Sequence, residues 1–347
     1  MVLEMLIFYF FYPCSLLLGI KKKVTRSVLL TKVETNYLKG MAAMMVVFAH
    51  YCVYLGKEDR LIWGIKPFQY LGPLGVAIFM FLSGYGLYIS NKLNRLNICF
   101  LLKRLRSVYI PYLVVRMVFS FMNNEFSSFG ECIGYFLGVV NPAWFIAVIM
   151  FMYIFYYLVS KLNLDEIKKI GILTCLIVTM SVVLYFQMGI ERSYWFGNNL
   201  LFPLGVIVGK YESYIMDLYK KKWFSLFCIM VVGLGSTCIG YFVTEGLIQV
   251  AVKTTMGILL VLFILLLLEK IDVKNTAIVL LGNFSLNLYL THSKLYVLMS
   301  EYFAMENMWM ILLYFITVLV VPIVLKYMTD FVLTWLTGLI HDNTRNV

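Results

Sequence analysis

The sequence predicts an all-α, polytopic transmembrane helix bundle, and three observations predict it. First, hydrophobic residues make up 62% of the 347 and charged residues only 14%, where a typical soluble domain has about 25% charged. With a mean hydropathy of +0.87, a soluble chain of this size has no core large enough to hide its apolar surface. Second, the apolar residues fall in long continuous runs, without the ten-residue alternation of a membrane barrel. Lipid offers no hydrogen bonds, so such runs satisfy their backbone internally, as helices. Third, the basic residues sit in short clusters between the runs, as membrane orientation requires.

Ten spans follow, near 36–56, 67–90, 107–122, 143–160, 169–187, 195–209, 223–243, 247–268, 276–299 and 308–335. Pro142 and Pro203 lie at span starts, where a missing N–H costs little, and Pro322 is expected to kink the last span. An eleventh apolar stretch covers residues 2–19, holds Glu4 and Pro13, and is followed by Lys21, Lys22 and Lys23. It reads as a further span, an interfacial helix or an upstream extension. Its charges follow the apolar run, the reverse of a cleaved signal peptide. The expected organisation is an N-terminal apolar segment and basic linker (1–35), a transmembrane domain (36–335) and a cytoplasmic tail (336–347).

Charge sets the expected orientation. With residues 20–35 in the cytoplasm, alternate loops hold most of the 29 Lys and Arg residues. Their clusters are Lys92, Arg95, Lys103, Arg104 and Arg106; Lys161, Lys168 and Lys169; and Lys210 with Lys220 to Lys222. The opposite loops carry Glu58, Asp59, Glu125, Glu131, Glu245, Glu301 and Glu306. The positive-inside rule then places a multi-pass protein in the cell membrane with its C-terminus in the cytoplasm. The net charge of +11 is thereby explained through membrane lipid, and nucleic acid is not expected as a partner. The seven cysteines show no C-x-x-C pair; they read as small apolar residues, with no metal site. No inter-span segment is long enough for a soluble domain, so catalytic groups belong in the bilayer or at its edges.

Few residues in the spans carry chemistry. His50 lies in the first span, eleven residues after Lys39. Eleven steps of about 100° return to within roughly 20° of the same face, with a rise of about 16 Å. Lys39 is therefore expected near the cytoplasmic interface, as a ligand cation or a snorkelling anchor, with His50 deeper on the same stripe. An ionisable residue at depth is a functional candidate, and histidine exchanges a proton near neutral pH; the plain alternative is an interhelical hydrogen bond. The second span runs from Gly72 to Gly86 through Gly75 and Ser83, small residues that let helices approach, with Ser83 able to bond across helices. Lys103, Arg104 and Arg106 open the third span and suit a phosphate or pyrophosphate, or serve as an ordinary cytoplasmic anchor. Trp144 and Phe145 open the fourth span on the outer side as belt aromatics. Tyr289 and His292 are three apart and share a helix face, where His292 shapes a polar pocket or pairs with Tyr289.

In this order, the segments resemble the acyltransferase 3 family of integral membrane O-acyltransferases. Leu38-Lys39-Gly40 followed by His50 is similar to that family's motif of a basic residue, ten spacers and a histidine. Gly75-Val76 through Phe81-Leu82-Ser83-Gly84-Tyr85 is similar to its second-helix signature, and Phe100 to Pro111 resembles its basic segment. Trp144-Phe145 and Ser285 through Tyr289-Leu290 to His292 match as well, so the resemblance covers roughly residues 33–335. Two positions depart from the pattern. Lys39 stands where the family usually has Arg, which keeps the charge but loses the bidentate fork. Lys103-x-x-Arg106 stands in place of the frequent Arg-x-x-Arg.

The resemblance implies acetyl transfer from cytoplasmic acetyl-CoA, a donor substrate with no resident cofactor, to a hydroxyl of a surface glycan or its lipid-linked sugar precursor. Some relatives carry an additional extracytoplasmic domain; here the reaction is expected within the helices. His50 is the expected base or acyl relay. Lys103, Arg104 and Arg106, with Lys39, are expected to hold the acyl-CoA phosphates, while Ser83 and Tyr289 are candidate oxyanion donors. Trp144 and His292 complete the expected pocket. A glycan or lipid flippase fits the same hydropathy, although no internal repeat is evident, and a noncatalytic assembly or sensor protein is a third reading.

Overall fold

A computed structural model describes residues 2–23, 27–122, 144–305 and 307–345. Of the described residues, 83% are helical. In order, the helices are α1 (Leu3–Leu17), α2 (Lys32–Lys57), α3 (Lys66–Asn91), α4 (Cys99–Met122), α5 (Trp144–Ser160), α6 (Glu166–Met188), α7 (Leu201–Lys210), α8 (Glu212–Val243), α9 (Gly246–Leu268), α10 (Thr276–Asn283), α11 (Ser285–Tyr302) and α12 (Met308–Arg345). Among the described residues, α2, α3, α4, α6, α8, α9 and α12 are long and apolar enough to cross a membrane, seven in all. The other three expected crossings coincide with shorter or broken helices. α5 is 17 residues long and α7 only ten. The ninth expected span divides into α10 and α11 at Phe284, whose φ of −106° and ψ of 6° leave the helical region. Pro142, Glu125, Glu131 and Glu306 lie outside the described residues.

Several expected boundaries move. Helix α4 starts at Cys99, not 107, and α8 at Glu212, not 223. The basic clusters read as loops are thus helical, because Lys and Arg are good helix formers and their charge marks only the membrane edge. The junction in α8 survives as a kink at Lys222 (φ −123°, ψ 27°). Helix α12 runs on through Pro322. Two other prolines leave a mark: wide π turns at Ile7–Phe11 and Leu105–Tyr109 come just before Pro13 and Pro111. In each, the residue preceding the proline donates five residues back, Tyr12 to Ile7 and Ile110 to Leu105. Widening the turn relieves the clash between a proline ring and the carbonyl four residues earlier.

The helices form two compact units, Met1–Asn97 with Phe151–Asn283, and Ile98–Met150 with Phe284–Val347. In the first, α2 starts at a capping box, where Thr31 Oγ1 accepts from the Glu34 N–H and Glu34 Oε2 accepts from the Thr31 N–H. α1 runs antiparallel along α2. Tyr51 donates to Glu4 at 3.2 Å, Tyr12 to the Met41 carbonyl at 3.2 Å and Tyr37 to the Leu16 carbonyl at 2.6 Å. The apolar N-terminal stretch therefore packs beside the first span over most of its length.

Glycines set the close crossings of this unit. A Cβ on Gly282 would lie 1.9 Å from the Asn36 carbonyl oxygen, and one on Gly40 would lie 2.1 Å from that of Ile278, so α10 and α2 touch backbone to backbone. Gly84 and Gly205 do the same for α3 and α7, at 2.0 Å from Phe202 O and 2.2 Å from Phe81 O. Small residues that admit such approach are the usual glue of membrane helices.

One departure from the all-helical reading is a two-stranded antiparallel ribbon of β1 (Ile20–Lys22) and β2 (Ile271–Val273), with Lys21 opposite Asp272. Nearby, Glu212 Oε1 accepts from the Leu29 N–H at 2.6 Å and from the Tyr85 hydroxyl at 2.9 Å. Glu166 accepts from Tyr88 at 3.1 Å and pairs with Lys210 at 3.2 Å. The segments joined here are the N-terminal linker and the loops near residues 166, 210 and 271, which charge assigns to one side of the membrane. In the second unit, α4, α11 and α12 pack on one another.

Candidate active site

The first unit positions Lys39, His50 and Ser83. Lys39 and His50 lie on the unbroken helix α2, both half-buried, with the intervening residues 42 to 49 buried. His50 Nδ1 lies 2.9 Å from the Val46 carbonyl oxygen. A carbonyl only accepts, so Nδ1 carries the proton, and in the neutral ring Nε2 is the basic nitrogen. A bond to its own helix also fixes the ring's rotation. Around it α3 packs closely, since a Cβ on Gly72 would lie 3.0 Å from that of Ala49 and one on Gly75 would lie 2.6 Å from Ala42 O.

Ser83 corrects an expectation. Its hydroxyl donates to the Phe79 carbonyl at 2.8 Å, back along its own helix and not across to another. In an apolar environment the nearest acceptor for a serine is the carbonyl four residues earlier. The neighbouring signature residues have architectural roles: Gly84 admits α7, and Tyr85 reaches Glu212.

The second unit positions the remaining candidates. Lys103 and Arg106 are exposed on α4, and the half-buried Arg104 stacks over the Phe100 ring at 5.3 Å. The π turn at Leu105–Tyr109 carries Arg106 and shifts it around the helix relative to a regular α-turn. Trp144 opens α5, half-buried, with its ring 5.9 Å from that of Phe145. Phe145 in turn meets the Tyr289 ring at 5.0 Å, and Tyr289 meets His292 at 6.0 Å. The last aromatic motif and the Trp-Phe pair, far apart in sequence, are thus brought together by Phe145 and Tyr289. His292 is 2% exposed; its Nδ1 donates to the Leu288 carbonyl at 3.1 Å and its Nε2 accepts from Ser293 Oγ at 3.1 Å. His292 thus holds its Nδ1–H on its own helix, as His50 does, and presents Nε2 to the Ser293 hydroxyl.

The sequence model of the acyltransferase 3 family, an acyltransferase domain, matches residues 33–327. The chain belongs to the acyltransferase 3 family. Neither a curated protein nor a solved structure matches it. This acyltransferase is a membrane protein by its helices, and the matched region starts beside the capping box of α2 and ends within α12. Three polar positions escaped sequence reasoning. Glu212 and Glu166 tie basic segments together, which only the folded chain reveals. Lys253, in mid-α9, is 9% exposed and was visible as a charge inside an apolar run.

Proposed function

We propose that this acyltransferase moves an acetyl group from cytoplasmic acetyl-CoA to a hydroxyl of a cell-surface polysaccharide or its lipid-linked precursor, with His50 as the base. The observation that carries the reading is the His50 tautomer: Nδ1–H is held by the Val46 carbonyl, which leaves Nε2 to accept a proton. In the proposed step, Nε2 takes the proton of the acceptor hydroxyl as its oxygen attacks the thioester carbonyl carbon. The carbon–sulfur bond then breaks and the imidazolium returns the proton to the departing thiolate. The products are an acetyl ester and free CoA. An acyl-histidine route uses the same nitrogen as nucleophile.

Lys103, Arg104 and Arg106 are assigned to the CoA phosphates and Lys39 to the path inward, about 16 Å of rise before His50. The contacts among the ribbon, Glu212 and Glu166 favour a single cytoplasmic side for the basic segments of the first unit, and the positive-inside rule is the support for a cytoplasmic C-terminus. The direct test supplies membranes holding the protein with acetyl-CoA and a glycan acceptor. Release of CoA with ester formation, lost in His50→Ala, supports the reading; glycan movement without CoA release overturns it in favour of a flippase.

A further inference from the structure

Lys253 interrupts the apolar run of α9 and is buried to 9% exposure. Its Nζ donates to Ser193 Oγ at 3.2 Å, and among the described residues no carboxylate pairs with it. Gly197 packs on its stem, since a Cβ there would lie 3.4 Å from Lys253 Cε. The next residue, Asn198, is 4% exposed. Its Nδ2 donates to the Pro73 carbonyl at 2.9 Å, while its buried Oδ1 has no hydrogen-bond partner. That oxygen faces α9 one turn beyond Lys253, 3.8 Å from where a Cβ on Gly257 would stand. One stretch of α9 therefore carries an ammonium with unused donors at Lys253 and, one turn on at Gly257, faces an amide oxygen with no donor.

Both features cost stability. A buried ammonium without a counter-ion loses its hydration with no opposite charge to offset the loss, and an orphaned amide oxygen loses the hydrogen bond it would make in water. A ligand that carries a negative oxygen and a hydroxyl cancels both. We propose that Lys253, Ser193 and Asn198 bind a hydroxyl-bearing oxyanion, with the phosphate or carboxylate on Lys253 and Ser193 and a hydroxyl donating to Asn198 Oδ1. The site is separate from His50 but level with it: α3 meets Ala49 through Gly72 on one side and Gly257 through Ala77 on the other. Two sources share this chemistry, an acidic or phosphorylated sugar and the glycerol-phosphate headgroup of an anionic lipid. The site is read by binding alone, so it stands or falls separately from acetyl transfer.

The test uses the purified full chain in phosphatidylcholine nanodiscs and titrates glucose 1-phosphate, glucuronate and glucose by calorimetry. Wild type is expected to bind the two anions and to bind glucose at least about tenfold more weakly, the loss of one charge-assisted contact. Lys253→Met should abolish anion binding and leave the thermal midpoint equal or higher, because it removes an uncompensated charge. Lys253→Arg should keep binding within severalfold, and Ser193→Ala, at a half-buried position, should weaken it severalfold and keep the proposal testable if Lys253→Met does not fold. Nanodiscs containing phosphatidylglycerol separate the sources: a lipid headgroup ligand suppresses the sugar titration and stays bound in native mass spectra, whereas a sugar ligand titrates unchanged. The proposal is overturned if wild type holds neither the anions nor phosphatidylglycerol, if glucose binds as tightly as the anions, or if Lys253→Met binds like wild type.

Discussion

At the scale of single residues, the proposed chemistry rests on one nitrogen, and removing it separates catalysis from folding. His50→Ala should lower kcat by about 10²–10⁴-fold, the usual contribution of a general base, with KM for acetyl-CoA and membrane yield unchanged. Radiolabelled acetyl transfer in membranes matched for protein level measures it, and activity within threefold of wild type would remove His50 from the mechanism. The cations should show the opposite split. Lys103→Ala with Arg106→Ala should raise KM for acetyl-CoA by about tenfold or more and spare kcat, as expected when binding common to ground and transition states is lost. His50 was legible because an imidazole in an apolar run is conspicuous to anyone reading hydropathy. Lys253 obeys the same rule, but a sequence alone offered it no partner, and its significance depends on Ser193 and Asn198, sixty and fifty-five positions away in the chain. His292 looked equivalent to His50, and its Nδ1 is likewise held by a carbonyl of its own helix; its bond to Ser293 and its distance from the Tyr289 ring came into view only with the fold.

At the scale of elements, glycine contacts decide which helices touch. A methyl group on Gly282 would sit 1.9 Å from Asn36 O, and backbone cannot move aside as a side chain does. Gly282→Ala should therefore force α10 off α2 and destabilise the protein by about 1–3 kcal/mol, the usual cost of overpacking. Gly171→Ala on α6 is the control. Nothing lies within 4 Å of that Cβ, and helix propensity favours Ala over Gly by up to about 1 kcal/mol. Thermal midpoints in detergent should fall for the first and hold or rise for the second; equal midpoints would mean that the α2–α10 crossing is loose. The long helices were readable because each apolar run fixes both a helix and its place in lipid. Their ends were not, since hydropathy marks the membrane boundary while the helix continues past it, as α4 and α8 do through Lys103 to Arg106 and Lys220 to Lys222. The broken ninth span was also hidden, because apolar residues continue on both sides of the interruption at Phe284 and hydropathy does not register a local change of backbone angle.

At the scale of the whole chain, sidedness joins the donor's compartment to the chemistry, and the β1–β2 ribbon gives it a test. Charge counting puts residues 20–35 and the loop after α9 on the same side, yet nothing in Ile20–Lys22 or Ile271–Val273 announces a strand; three residues each, rich in charge, they pair only because α2 and α9 bring them within reach. Lys21 and Asp272 are opposite each other in the register, and antiparallel partners have Cα atoms about 4.5–5.5 Å apart, inside the roughly 4.4–6.8 Å span of a disulfide. In a chain whose seven native cysteines are replaced by alanine, Lys21→Cys with Asp272→Cys should cross-link under mild oxidation, while Lys21→Cys with Lys274→Cys should do so far less. In intact cells the two single variants should resist a membrane-impermeant thiol reagent and react once the membrane is opened. A cross-link without that protection would keep the ribbon and turn the whole protein over, and the acetyl-CoA assignment would then lose its supply, because the coenzyme would face the wrong end of α2.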